Sequence, residues 1–211
     1  MEPPRIKICG VTRLEDAQAA VGFGAWAVGM VFYPQSLRRC ELAEAERIGA
    51  AMHRRCELAG VFVNAALEEI ADIGERAKLT LVQLHGDEGP AFCSEVARRT
   101  GARTIKAAAV RGAATLQDLE RFHTDFHLLD GYAEGLRGGT GEPFDWSVIE
   151  ARRSKVQLIL SGGLDCDNVG DAISATRPYA VDVASGVESS PGVKDPERLR
   201  AFIDAVAGVA V

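Results

Sequence analysis

Short runs of β-branched and aliphatic residues alternate with stretches of helical spacing along this 211-residue chain, and that alternation limits its fold more than any other feature. The pattern predicts strands over 5–11, 25–32, 57–63, 79–85, 102–108, 125–130, 156–161 and 179–184. Helices are predicted over 14–23, 42–52, 67–77, 90–99, 115–122, 146–153, 168–175 and 196–206. Alternation of this kind implies an α/β fold built on a parallel sheet with right-handed crossovers. An open, doubly wound sheet shares the pattern. Two features favour closure instead. The strands number eight, at roughly 25 residues per unit, which is the repeat of a β/α barrel. No glycine fingerprint for a dinucleotide follows the first strand. The expected architecture is a single-domain (β/α)8 TIM barrel over residues 1–211, with no linker, charge block or low-complexity tract to divide it.

Composition excludes several classes of function. A net charge of -6 argues against a broad footprint for nucleic acid or anionic lipid. A local phosphate site needs no basic patch, because a few backbone N–H groups suffice. No apolar run approaches the roughly 18 to 20 residues that cross a bilayer. The opening Met1-Glu2-Pro3-Pro4 lacks the basic and apolar segments of a secretory signal. Five cysteines, an odd number without a CxxC pair, argue against a disulfide framework or a zinc ribbon and fit a reducing cytoplasm.

Barrel enzymes place their chemistry at the carboxyl ends of the strands. Side chains on a strand alternate faces, so Ile6 and Ile8 share one side of the first strand while Lys7 and Cys9 share the other. With the isoleucines packed outward, Lys7 and Cys9 point into the barrel and Cys9 stands at the mouth. By the same reasoning Gln83 and His85 share a face at the end of strand four, and strand six closes on Asp130. Strand two leads into Arg38-Arg39, one of which is expected to be solvated. Together these residues could supply a base, an acid and a carboxylate clamp. Each also has a plainer reading, as a small buried thiol, a helix cap, or a partner for loop carbonyls. Asp182 is expected to pair with Lys7 across the seam between strands eight and one, close to the substrate. Lys106 in strand five is read as a similar interior charge.

Strand seven runs into Ser161-Gly162-Gly163-Leu164, and strand eight into Ser185-Gly186-Val187. Glycines admit close backbone approach to an anion, and loops after strands seven and eight are where barrels often hold phosphate. Gly162, Gly163, Ser185 and Gly186 are therefore the candidate phosphate grip. The long connection over 131–143 is glycine-rich and reads as a lid.

In sum, the chain resembles the phosphoribosylanthranilate isomerase family of tryptophan biosynthesis. The resemblance rests on Lys7-Ile8-Cys9-Gly10-Val11-Thr12, Gly60-Val61-Phe62-Val63-Asn64 and Val82-Gln83-Leu84-His85-Gly86-Asp87-Glu88. It continues through Leu128-Leu129-Asp130, Gly138-Gly139-Thr140-Gly141, Phe144-Asp145-Trp146 and Ser161-Gly162-Gly163-Leu164. It ends in Val181-Asp182-Val183, Ser185-Gly186-Val187-Glu188 and Pro191-Gly192, followed by Lys194-Asp195. The resemblance implies a general-base Cys9, a general-acid Asp130, and Arg38 as the arginine that holds the anthranilate carboxylate. It implies a small phosphorylated substrate, no cofactor and no metal, in a monomer or homodimer. Lys7 is expected to favour the Cys9 thiolate. Apolar Leu128 and closure of residues 138–141 are expected to keep Asp130 protonated part of the time.

Two other phosphosugar barrels share the pattern. Indole-glycerol-phosphate synthase usually carries a longer amino-terminal helical extension than precedes strand one here. A pentulose-phosphate epimerase needs His/Asp metal ligands at strand ends, and of the four histidines only His85 stands in such a place. A silent barrel that binds a phosphorylated ligand without converting it is the alternative from another class; turnover separates the two.

Overall fold

Two isoleucines on one face of Arg5–Cys9 (β1) pack outward into the main apolar layer, leaving Lys7 and Cys9 on the inner face. The computed structural model describes residues 3–131 and 146–209. Residues 132–143 of the predicted lid, with the Gly138-Gly139-Thr140-Gly141 and Phe144-Asp145 stretches, lie outside the described residues.

From β1 the chain runs through α1 (Leu14–Phe23), β2 (Ala27–Val31), α2 (Leu42–Met52), β3 (Glu57–Phe62) and α3 (Leu67–Arg76). It continues with β4 (Leu81–Leu84), α4 (Pro90–Thr100), β5 (Arg103–Val110), α5 (Ala113–Leu119) and β6 (Phe126–Gly131). Then come β7 (Gln157–Leu160), α6 (Val169–Thr176), β8 (Ala180–Val183), a short hairpin of β9 (Glu188–Ser190) and β10 (Val193–Lys194), and α7 (Pro196–Ala207). Strands β1 to β8 pair in sequence order and close into a barrel, β8 meeting β1 in parallel with Lys7 beside Asp182. The expected TIM barrel is the fold. Among the described residues no helix is long and apolar enough to cross a membrane.

Local chemistry sets the element ends. Asp195 caps α7 by accepting from the N–H groups of Glu197 and Arg198, with Pro196 at the first helical position, where a missing N–H costs nothing. The segment predicted as a helix over 146–153 is instead a 3₁₀ helix, Trp146–Ala151, six residues being few for an α-helical ladder. Gly112, at φ 144°, starts α5 two residues before the predicted boundary.

The barrel interior is lopsided. On one side it carries small residues, Ala27, Gly29 and Ala59; on the other, Leu81, Ile105, Phe126 and Leu128. The small side makes room for a long charged side chain. A Cβ on Gly29 would lie 3.1 Å from both Lys7 Nζ and Cys9 Sγ. Trp26, Phe126 and Tyr179 plug the amino end with edge-on and tilted ring contacts.

Lys106 corrects the expectation of a second interior charge. Its neighbours Ile105 and Ala107 belong to the inner cluster, so alternation turns Lys106 outward. There Nζ donates to the Gly86 carbonyl at 2.7 Å and to Glu88 Oε2 at 2.8 Å. Glu88 in turn accepts from the N–H groups of Asn64 and Gly86. The Gly86-Asp87-Glu88 motif is thus a latch that holds the loops after β3 and β4 from outside.

Candidate active site

Cys9 is the last residue of β1, and Asp130 the last but one of β6, so thiol and carboxyl reach the same carboxyl-end rim of the barrel. Both are buried. Behind Cys9, Lys7 is fully enclosed and donates to Asp182 Oδ1 at 2.8 Å, while Ser161 Oγ donates to Asp182 Oδ2 at 3.3 Å. The pairing of Lys7 with Asp182 expected across the seam is present, and Ser161 completes the carboxylate's set of partners.

The electrostatics of this group depart from expectation in one respect. Burial alone would lower the Lys7 pKa, but the Asp182 carboxylate and the Cys9 thiol outweigh it and hold the ammonium above its ordinary value. Burial pushes the Cys9 thiol up; the Lys7 charge pulls it back without reversing it, and Asp182 adds to the rise. The expectation that Lys7 would favour the thiolate outright is therefore corrected. The cation moderates a desolvation cost that it does not overcome, because its own charge is largely answered by Asp182.

Removing the cation should be costly for the fold. Lys7→Met leaves Asp182 buried without its counter-charge, and we expect a loss of about 3–5 kcal/mol in urea unfolding. Lys7→Met combined with Asp182→Asn should recover much of that loss. A double variant no more stable than the single one would mean that the loss does not come from an uncompensated charge on Asp182.

On the far side of the rim, Asp130 Oδ2 lies 3.5 Å from His85 Nε2. Gln83 Nε2 is 3.2 Å from His85 Nδ1, with donor and acceptor roles set by the imidazole tautomer. Gln83 and His85 do share a face, as alternation requires, and His85 reaches the strand-six carboxylate. The Gln83 Oε1 atom is buried and has no partner among the described residues.

The glycine turns pack tightly. Gly162 has φ +94°, and a Cβ there would fall 2.1 Å from the Gly131 nitrogen and 3.0 Å from Asp130 Oδ1. No other residue fits that position, which lets the loop after β7 lie directly against Asp130. Gly163 follows at φ +64°. A Cβ on Gly186, within the 3₁₀ turn Ser185–Val187, would strike the Leu164 carbonyl at 2.1 Å. The two loops expected to grip phosphate therefore touch one another.

Of the two adjacent arginines, Arg38 turns in and Arg39 out. Arg39 is half exposed and stands 3.8 Å from Glu41. Arg38 lays its stem over Gly10, where a Cβ would meet Cδ at 2.7 Å, and its guanidinium reaches Glu188. Glu188 and Lys194 are charged residues that strand alternation missed. They lie in the β9–β10 hairpin outside the barrel sheet, where period-two patterning says nothing about burial. The one signal available was their place in the Val187-Glu188 and Lys194-Asp195 motifs.

Comparison with known proteins agrees with this geometry over nearly the whole chain. The sequence profile described as N-(5'phosphoribosyl)anthranilate (PRA) isomerase matches residues 6–205. An N-(5'-phosphoribosyl)anthranilate isomerase from Citrifermentans bemidjiense is 44% identical over 207 residues, covering 98% of each chain. The crystal structure of phosphoribosyl anthranilate isomerase from Thermus thermophilus superposes with a TM-score of 0.88 at 37% identity, covering 98% of this chain and 100% of that one. A phosphoribosyl anthranilate isomerase in complex with reduced 1-(o-carboxyphenylamino)-1-deoxyribulose 5-phosphate gives a TM-score of 0.83 at 39% identity, covering 97% and 99%.

Proposed function

Because the chain belongs to the N-(5'-phosphoribosyl)anthranilate isomerase family, we infer that it isomerises N-(5'-phosphoribosyl)anthranilate to 1-(2-carboxyphenylamino)-1-deoxyribulose 5-phosphate in tryptophan biosynthesis. The reaction is an Amadori rearrangement. The sugar's C2 is oxidised from alcohol to ketone while C1 is reduced from imine to amine, so nothing is exchanged with a redox cofactor.

In our reading Asp130 is the general acid. It protonates the furanose ring oxygen, the C1–O bond breaks, and the anthranilate nitrogen's lone pair forms the C1=N Schiff base. Cys9, as thiolate, then removes the proton from C2. The freed electron pair becomes the C1=C2 bond, the C=N pair returns to nitrogen, and the resulting enol-amine gives up its C2 hydroxyl proton and takes a proton at C1 to become the ketone. One group must begin protonated and the other must lose its proton at the same pH, a division of labour typical of paired acid and base residues.

The observation that carries this reading is the meeting of a strand-one thiol and a strand-six carboxyl at one rim, above a sealed barrel floor. The phosphate belongs at the touching turns of Gly162, Gly163, Ser185 and Gly186, whose conformations suit close backbone approach. Arg38 takes the anthranilate carboxylate, since a planar guanidinium suits two parallel bonds to it. Gln83 and His85 line the sugar beside Asp130, with Asp182 beneath. Five free cysteines fit a cytoplasmic setting. One or two copies per assembly fit the same reading, and sedimentation distinguishes them.

The direct test is to mix the purified protein with freshly made phosphoribosylanthranilate. The anthranilate-linked fluorescence should fall as the ketose forms, with product identified by mass and by borohydride reduction. A substrate signal that decays no faster than in buffer would overturn the assignment.

A further inference from the structure

Glu188 is nearly enclosed, and both of its oxygens serve Arg38: Nε donates to Oε1 and Oε2 at 3.0 Å each, and Nη2 stands 2.8 Å from Oε2. On its other side Oε1 accepts from Lys194 Nζ at 2.8 Å and from the Gly192 N–H at 3.3 Å. Lys194 is itself buried and spends its remaining donors on the Cys9 and Ala184 carbonyls. Burial lowers the Lys194 pKa, and Arg38 adds to that, while Glu188 and Cys9 oppose it. The group is a row of cation, anion and cation, buried at Glu188 and Lys194 and half-buried at Arg38, with one formal positive charge in excess.

A guanidinium has five N–H donors in a fixed fork. Glu188 occupies the edge made by Nε and one Nη2 hydrogen. What remains is the end made by Nη1 and the second Nη2 hydrogen, enough for two parallel bonds to a carboxylate met end-on. The stem is seated by Gly10, directly after Cys9. The carboxylate that aims the head follows directly on the Ser185–Val187 turn.

Resting on the reading of Arg38 as the holder of the anthranilate carboxylate, we propose that Glu188, backed by Lys194, is a positioning residue that fixes the Arg38 head in one orientation and ties it to the phosphate-side turn. The two anionic ends of the substrate are then held by neighbouring stretches of one backbone, 185–187 and 188. The separation between those grips is built in, and it selects ligands that carry both a phosphate and a carboxylate at that span. A free arginine on a loop would lose more conformational freedom on binding and discriminate less.

The test uses the whole enzyme and two substrates, phosphoribosylanthranilate and the analogue with aniline in place of anthranilate. Wild-type turnover of the first is the control for the functional reading; its failure would undo that reading before Glu188 is at issue. Given turnover, Glu188→Gln should raise KM for phosphoribosylanthranilate about tenfold, the scale of a lost charge-assisted bond, and move kcat far less. It should leave KM for the aniline analogue near wild type. In an Arg38→Met background the same change should add no further rise in KM. An unchanged KM, equal losses on both substrates, or a full additional loss on top of Arg38→Met would each overturn the proposal. Should Glu188→Gln not fold, a crystal structure of the wild type with the reduced product analogue decides. Glu188 keeping the Nε edge while the ligand carboxylate takes the Nη1 end supports the proposal. A ligand that displaces Glu188 from Nε overturns it.

Discussion

Cys9→Ala is expected to lower kcat by about 100- to 10,000-fold, the range measured when a positioned proton-transfer group is lost, while the reduced product analogue binds as before. The alanine methyl is the Cβ that cysteine already has, so only Sγ, beside Gly29 and the Lys7 ammonium, is removed and the fold has little to adjust. The pH profile carries the sharper signature. Burial raises the thiol's pKa, Asp182 on β8 raises it further, and Lys7 on β1 and Lys194 on β10 act the other way. A base held above its ordinary value is mostly protonated at neutrality, so the rate should climb as pH rises through and beyond neutral. Cys9→Asp replaces it with a group that ionises near pH 4 in water, so the rising limb should move toward acid. A limb that stays in place in Cys9→Asp would assign it to some other group. Full turnover in Cys9→Ala would remove the thiol from the reaction.

Asp130→Asn is the second large effect, also about 100- to 10,000-fold in kcat. The amide keeps the shape of the carboxyl and its contacts with Gly162 and His85, but it has no proton acidic enough to open the furanose ring. Ring opening then depends on solvent or on His85, whose Nε2 faces the same atoms from 3.5 Å. The Cys9 limb of the pH profile should survive in Asp130→Asn at a lower plateau, since the base is untouched. Equal losses in analogue affinity and in turnover would instead make Asp130 a binding residue. A substrate already opened to its Schiff base, if supplied, should restore much of the rate in Asp130→Asn and none in Cys9→Ala.

How much of this was legible in the chain depends on how regular the local pattern is. Alternation over Arg5–Cys9 was enough to turn Lys7 and Cys9 inward, because both faces of the strand are buried but only one faces the helices. At Lys106 charge is a poor guide and register the better one, since Ile105 and Ala107 claim the interior and turn Lys106 outward. The Gly162-Gly163 turn was visible because positive φ demands glycine. The partners of Arg38 were not visible. Glu188 and Lys194 become buried only when a two-strand hairpin folds back over the mouth, a tertiary event with no period in sequence. The thiol's electrostatics were also out of reach, since desolvation and the competing Asp182 depend on the closed ring, not on the spacing of Lys7 and Cys9.

Lys7 and Asp182 lie 175 residues apart in the chain, yet they share the seam that seals the cylinder. Until the eighth strand has been synthesised and docked, the first has no neighbour on that side, and its ammonium and sulfur remain in water. A truncated product ending before β8 could keep much of its helical content and still lack the charge arrangement around the sulfur. Competence for chemistry should therefore arrive late and all at once during folding, with the final stave, and not build up unit by unit.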